Sequence, residues 1–155
     1  MHNTTGEHDL IGDVTRLGLE HGKDYVAFYD ATMARFWTLT DKARSVLAGL
    51  LSAHPHGRLL GDDELKKLGI FFEDRMYGDL IFLMNAAVQI VPSYMGNQRM
   101  PGLHGFHPTE ADSYACLLSN RPLPDSLHRI NQIYSLMERE VSGLSESAVT
   151  VSYPV

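Results

Sequence analysis

The chain has 155 residues, 44% hydrophobic and 21% charged, which is long enough for one domain with its own core and too apolar for a disordered polymer. A net charge of −6 and a pI near 5.7, with no stripe of Lys and Arg, exclude a surface built to neutralise a nucleic-acid polymer or an anionic membrane. No run approaches the roughly 20 apolar residues that span a bilayer, and Met1 to His8 lacks the basic-then-apolar pattern of a signal peptide, so a cytoplasmic location without a membrane partner is expected.

In chain order, Leu10, Val14 and Leu17 recur at helical spacing until Gly18 and Gly22 interrupt them, so residues 1–24 read as a weakly helical N-terminal segment. Tyr25 to Tyr29 and Met33 to Trp37 are aromatic, strand-like runs joined near Asp30-Ala31, the pattern of a hairpin. Aromatic strand residues usually fill cores, which is the reading preferred here over a base-stacking surface, and the alternation puts Arg35 on a solvated face. From Asp41, apolar Ala43, Val46, Leu47, Leu50 and Leu51 follow helical spacing behind Thr40 as N-cap, predicting a helix to about Ala53, stopped by His54-Pro55-His56-Gly57. Asp62 to Leu68 reads as a short helix with acids in its first turn, Lys66 and Lys67 in its last and Gly69 beyond its end.

Beyond Gly69 short apolar runs alternate with turn residues: Leu80 to Leu83, Val88 to Val91 before Pro92, and Tyr114 to Leu118. The first and last are apolar throughout and predict strands buried on both faces, with Cys116 a buried structural thiol that has no disulfide partner in the chain. Between them, Ser93 to Asp112 is too long for a plain connection and is expected to be a functional loop. Pro124-Asp125 opens a helix with Leu127, Ile130, Tyr134 and Met137 on one face, and the Ser-rich tail ends in a short strand at Val149 to Val151. The fold class expected is α+β or α/β, with short strands in a mixed sheet, and the chain divides into 1–24, a region 25–75 of hairpin plus helices, 76–140 carrying the loop, and a tail 141–155.

The loop holds Pro101-Gly102-Leu103-His104-Gly105-Phe106-His107-Pro108, where flanking glycines free the backbone to present an imidazole to a metal or an anion. Tyr77-Gly78-Asp79-Leu80-Ile81-Phe82-Leu83, Val91-Pro92-Ser93-Tyr94-Met95-Gly96 and this stretch together resemble the C-terminal part of the type I phosphodiesterase and nucleotide pyrophosphatase branch of the alkaline phosphatase superfamily. Upstream, Tyr29 to Trp37 and His56-Gly57-Arg58-Leu59-Leu60 resemble the cap that bacterial members insert before that part, so the likeness covers most of residues 25 to 138.

The resemblance implies an incomplete piece of an alkaline-phosphatase-like fold, the end of a two-metal hydrolase that usually carries zinc. In that family a Thr or Ser attacks the phosphodiester, and the matching His of the C-terminal His-Gly, here His104, is a metal ligand; His107 is a weaker second candidate at His-x-x-His spacing. The family's nucleophile and other ligands lie upstream of the cap and have no counterpart here: no Asp-His-Gly occurs, and Glu20-His21-Gly22 only echoes it. Asn85-Ala86-Ala87 and His107 depart from the family pattern, His54 and His56 read as a coincidental pair, and neither Ser93 nor Thr109 has a neighbouring base in the sequence to make it a nucleophile. Two functions remain: a phosphodiesterase or nucleotide pyrophosphatase portion, inactive alone, that acts on a phosphodiester or nucleotide with zinc or another divalent metal once completed; and a non-catalytic α+β module that binds a partner chain, or itself, through exposed sheet.

Overall fold

The computed structural model describes residues 2–147, with the side chains of 144–147 outside that description. The strand expected at 149–151 lies beyond it. The fold is α+β, one of the two classes expected, and mixes parallel with antiparallel pairing. The chain divides into two compact units, Met1–Ala115 and Cys116–Val155.

The first unit begins with strands β1 (His2–Asn3) and β2 (Gly6–His8) and a six-residue helix α1 (Leu10–Thr15), so the expected weak helix is present but shares its segment with two strands. Asp9 starts α1 by accepting a 2.7 Å hydrogen bond from the Gly12 N–H, and Leu10 and Val14 turn inward. Strands β3 (Tyr25–Tyr29) and β4 (Met33–Thr38) form the expected antiparallel hairpin, Tyr25 opposite Thr38 and Tyr29 opposite Ala34. Helix α2 (Asp41–Ser52) is capped by Thr40, whose hydroxyl accepts the Ala43 N–H at 3.2 Å. Strand β5 (Gly57–Leu59) leads into α3 (Asp62–Leu68), which ends on left-handed Gly69 as expected. Strands β6 (Leu80–Met84), β7 (Val88–Ile90) and β8 (Gly102–Leu103) follow, then a 3-10 turn at Ala111–Ser113.

The main sheet runs β3-β4-β6-β5, all antiparallel. Its position in the third place of four explains why β6 is apolar throughout. Phe82 and Met84 join Leu10, Val14, Phe36, Leu47 and Leu51 in a core under α1 and α2, while Ile81 and Leu83 point the other way, to Leu60 and to Leu65 of α3. Gly57 is required by this packing, because a Cβ there would stand 2.4 Å from the Phe82 ring and 2.6 Å from the Leu83 carbonyl oxygen. Two small ladders complete the unit: β1 with β8, antiparallel, and β2 with β7, parallel.

Three expectations are corrected. Tyr114 to Leu118 forms no strand; Tyr114 and Leu118 are exposed, and Cys116 is an exposed thiol rather than a buried one. An apolar run becomes a buried strand only when a neighbouring strand and a covering layer exist, and among the described residues this run has no ladder partner. Arg35 alternates away from buried Ala34 and Phe36 but is half-buried by aromatic rings: its guanidinium carbon lies 4.5 Å from the Tyr77 ring centre, 4.8 Å from Phe28 and 5.8 Å from Trp37, and its buried Nε has no hydrogen bond. The last helix begins later than Pro124-Asp125 suggests. Pro124 to Leu127 closes a turn, and Gln132 Oε1 accepts the His128 and Arg129 amides at 2.7 and 2.8 Å, so helix α4 starts at Asn131 (Asn131–Ser147).

Candidate functional site

The loop 93–112 is tied down along its length. The Tyr94 N–H donates to the Tyr29 carbonyl at 2.9 Å, and buried Gln89 binds both backbone groups of Met100, accepting from its N–H at 3.1 Å and donating to its carbonyl. The Thr4 N–H donates to the Pro101 carbonyl at 3.0 Å, and β1 pairs His2 with Leu103 and Asn3 with Gly102. Phe106 is buried and meets the His2 ring edge to face, with centres 4.8 Å apart. Thr32 donates its hydroxyl to the Gly105 carbonyl at 3.1 Å. Gly105 has φ +98, and a Cβ on it would lie 2.8 Å from that same hydroxyl, so both conformation and space require glycine there.

His104 therefore sits between an anchored Leu103 and an anchored Phe106, with its own side chain exposed. Its imidazole makes no hydrogen bond or ion pair to the described residues, and it belongs to no group of three His, Cys, Asp or Glu that could hold a metal ion among them. The donors present thus do not fit a complete zinc site, which needs three or four ligands. They supply one.

His107 is placed elsewhere in the chemistry. Its Nδ1 pairs with the Thr109 hydroxyl at 2.6 Å and accepts the Thr109 N–H at 3.3 Å, and its Nε2 approaches Glu64 Oε1 at 3.0 Å, out of line for a hydrogen bond. Thr109 thus gains the neighbouring base that the sequence did not reveal. The trio is still a poor relay. Both Glu64 oxygens are held by Arg58 at 2.6 Å, an arrangement that keeps Glu64 below the usual carboxylate range and leaves it little basicity to lend to His107. A cleft of about 250 Å3 beside it is lined by Arg58, Asn85, His107, Thr109 and Glu110, among others.

Three further side chains converge where the sequence offered no motif. His8 leaves the end of β2, Asp13 leaves α1, and His54 leaves the turn after α2. Asp13 Oδ2 faces both imidazoles, 2.5 Å from His8 Nε2 and 3.2 Å from His54 Nε2, while Arg16 holds Oδ1. The ligand atoms of the three residues all lie within 4.8 Å of one another. Burial alone would push the Asp13 carboxyl up, but the hydrogen bonds from His8 and His54 outweigh it and hold the group below its ordinary value. His54 is buried, and that desolvation lowers its pKa from 6.5 against the opposing pull of Asp13. The His54 and His56 rings are 5.8 Å apart, so the neighbour in sequence is not the principal partner; Asp13, 41 residues away, is.

Sequence reasoning missed His8 and Asp13. The one available signal was the count of eight histidines, of which His54-Pro55-His56 falls just where a helix must stop. No family model, curated protein or solved structure matches the chain. Among the described residues no helix is long and apolar enough to cross a membrane.

Proposed function

We propose that this chain is the C-terminal portion of a metal-dependent phosphodiesterase or nucleotide pyrophosphatase, in which His104 is one zinc ligand of a site completed by residues outside it. The observation that carries the reading is the build of the His104 loop. Strand pairing at Leu103, a required glycine at 105 and a buried Phe106 hold the backbone, yet the imidazole is exposed and unpartnered among the described residues. Such ordering of the backbone around a free side chain suits presentation to something beyond the chain. The sequence likeness supplies what that something is: a divalent ion that polarises a phosphodiester, for which His104 contributes a neutral ring nitrogen. Neither Ser93 nor Thr109 is offered as nucleophile, and the chain alone is expected to be inactive.

The test is hydrolysis of a chromogenic phosphodiester with zinc, by the purified chain alone and by the chain co-expressed with the polypeptide encoded immediately upstream. The chain alone should show no turnover above background, and the pair should show zinc-dependent turnover that His104→Ala abolishes. Enzyme-like turnover by the chain alone, no turnover by the pair, or turnover by the pair that survives His104→Ala, would overturn the reading.

One observation favours the second reading, a non-catalytic interaction module. Ile130, just before α4, and Tyr134, Met137 and Val141 within it recur at helical spacing and are all exposed. A chain that self-associates through this face, shown by light scattering and reversed by Tyr134→Ser with Met137→Ser, and that never completes a hydrolase, would favour that module.

A further inference from the structure

The geometry points to a second metal site that lies wholly within this chain: His8, Asp13 and His54 bind one divalent transition-metal ion, such as zinc or cobalt. The donor set is two imidazoles and one carboxylate, the combination that suits zinc and its neighbours in the first transition row. The three donors come from three elements, β2, α1 and the turn after α2, so the site is assembled by the fold and not by a local sequence repeat. It contains neither His104 nor His107 and does not rest on the reading proposed above.

Spacing decides whether an ion fits. Tetrahedral zinc with bonds near 2.0 Å spaces its ligand atoms roughly 3.3 Å apart. His54 Nε2 and Asp13 Oδ2 are already at 3.2 Å. His8 Nε2 at 2.5 Å must open by about 0.8 Å to reach that spacing, which its partly exposed side chain can do by rotating. Asp13 is restrained by Arg16, which holds its other oxygen, and by α1, which carries it. The side chains of Asp13 and His8 are 17% and 26% exposed against 3% for His54, so an ion reaches the cluster from the Asp13 and His8 side and meets a fixed ligand at the bottom.

Without metal, the His56 N–H donates to His54 Nδ1 at 3.2 Å, which puts the ring proton on Nε2, facing Asp13. Metal at Nε2 displaces that proton, and a neutral His54 then carries its proton on Nδ1. The contact given up joins residues two apart at a turn whose His56 is exposed, so the exchange leaves the core untouched. The His56 ring, 5.0 Å from the His8 ring, is the nearest further imidazole and with water is the candidate for the fourth position.

The experiment is titration of the metal-stripped full chain with cobalt(II), followed by ligand-field absorption, and with zinc(II) followed by calorimetry and thermal unfolding. One equivalent should bind, raise the unfolding midpoint and broaden the His8 and His54 ring resonances selectively when the metal is cobalt. His8→Gln and Asp13→Asn should each weaken binding at least about tenfold, while His104→Ala with His107→Ala together should leave it unchanged. The resonance measurement uses the unaltered chain and so stands even if a variant fails to fold. Absence of uptake, uptake insensitive to His8→Gln, or broadening confined to other histidines would overturn the assignment.

Discussion

Replacing Gly105 by alanine probes the loop at its tightest point. At φ +98 an L side chain is strained, at a cost of roughly 1–3 kcal/mol. The new methyl would also stand 2.8 Å from Thr32 Oγ1, well inside the 3.4 Å at which ordinary contact begins. Thr32 is buried, so its hydroxyl escapes only by rotating off the Gly105 carbonyl and forfeiting that hydrogen bond, worth about 1 kcal/mol. The two contributions give a loss of about 2–4 kcal/mol.

Thr32→Ala alone should cost only the hydrogen bond, about 1 kcal/mol. In the double variant that bond is already gone and the overlap is relieved, so adding Thr32→Ala to Gly105→Ala should cost almost nothing more. Urea unfolding followed by Trp37 fluorescence measures all three, since Trp37 is the single tryptophan and its indole N–H sits 3.2 Å from the Arg75 carbonyl and 3.1 Å from that of Met76. A Gly105→Ala chain within about 0.5 kcal/mol of the parent, or strict additivity of the two substitutions, would refute the account of a loop held by this contact.

Phe82→Ala should cost about 3–5 kcal/mol in the same assay, because the ring is fully buried under α1 and α2 and meets the His54 ring edge to face, 5.2 Å between centres. A loss below about 1 kcal/mol would mean that the core collapses freely around the gap. Burial lowers the His54 pKa from 6.5, so the unfolded chain takes up that proton first as pH falls; stability should be full above 6.5 and decline as pH drops through it. Glu64, held low by Arg58, and Asp13, held low on balance by His8 and His54, add a further decline in the carboxylate range. Thermal midpoints followed from above pH 6.5 down through the carboxylate range should show both steps, and His54→Gln should remove the upper one; an unchanged midpoint on acidification through 6.5 would contradict the assignment.

What could be read in the sequence was whatever repeats over a short distance. The hairpin at 25–38 and helices α2 and α3 carry their periodicity, N-terminal signals and stop residues within a dozen positions, and each formed where expected. Strands β1 and β2 have two and three residues and exist only because Leu103 and the β7 strand come to meet them, so no local pattern announces them. The same reason hid the cluster at Asp13, whose two imidazoles arrive from 5 residues before it and 41 after it. Tyr114 to Leu118 shows the converse: its composition is that of a covered strand, but composition cannot supply the cover. The glycine at 105 stood out because its setting beside His104 is local, although the reason for that glycine, the Thr32 hydroxyl, is 73 residues away.

Residues 2–8 link the two candidate sites. Thr4 and β1 hold the His104 loop through the Pro101 carbonyl and Leu103, and the parallel β2–β7 ladder sets where His8 emerges, opposite Ile90. Every one of those restraints runs through the main chain or through Thr4. Exchanging the His8 imidazole for a glutamine amide leaves the restraints in place: the Val91 N–H still has the residue 8 carbonyl, at 3.0 Å, and Gly6 still faces Val88. Loss of metal from His8→Gln therefore reports on the imidazole and not on a displaced strand. By the same logic the His104 loop should keep its conformation in that variant, so any completed hydrolase should retain activity when the His8 site is emptied.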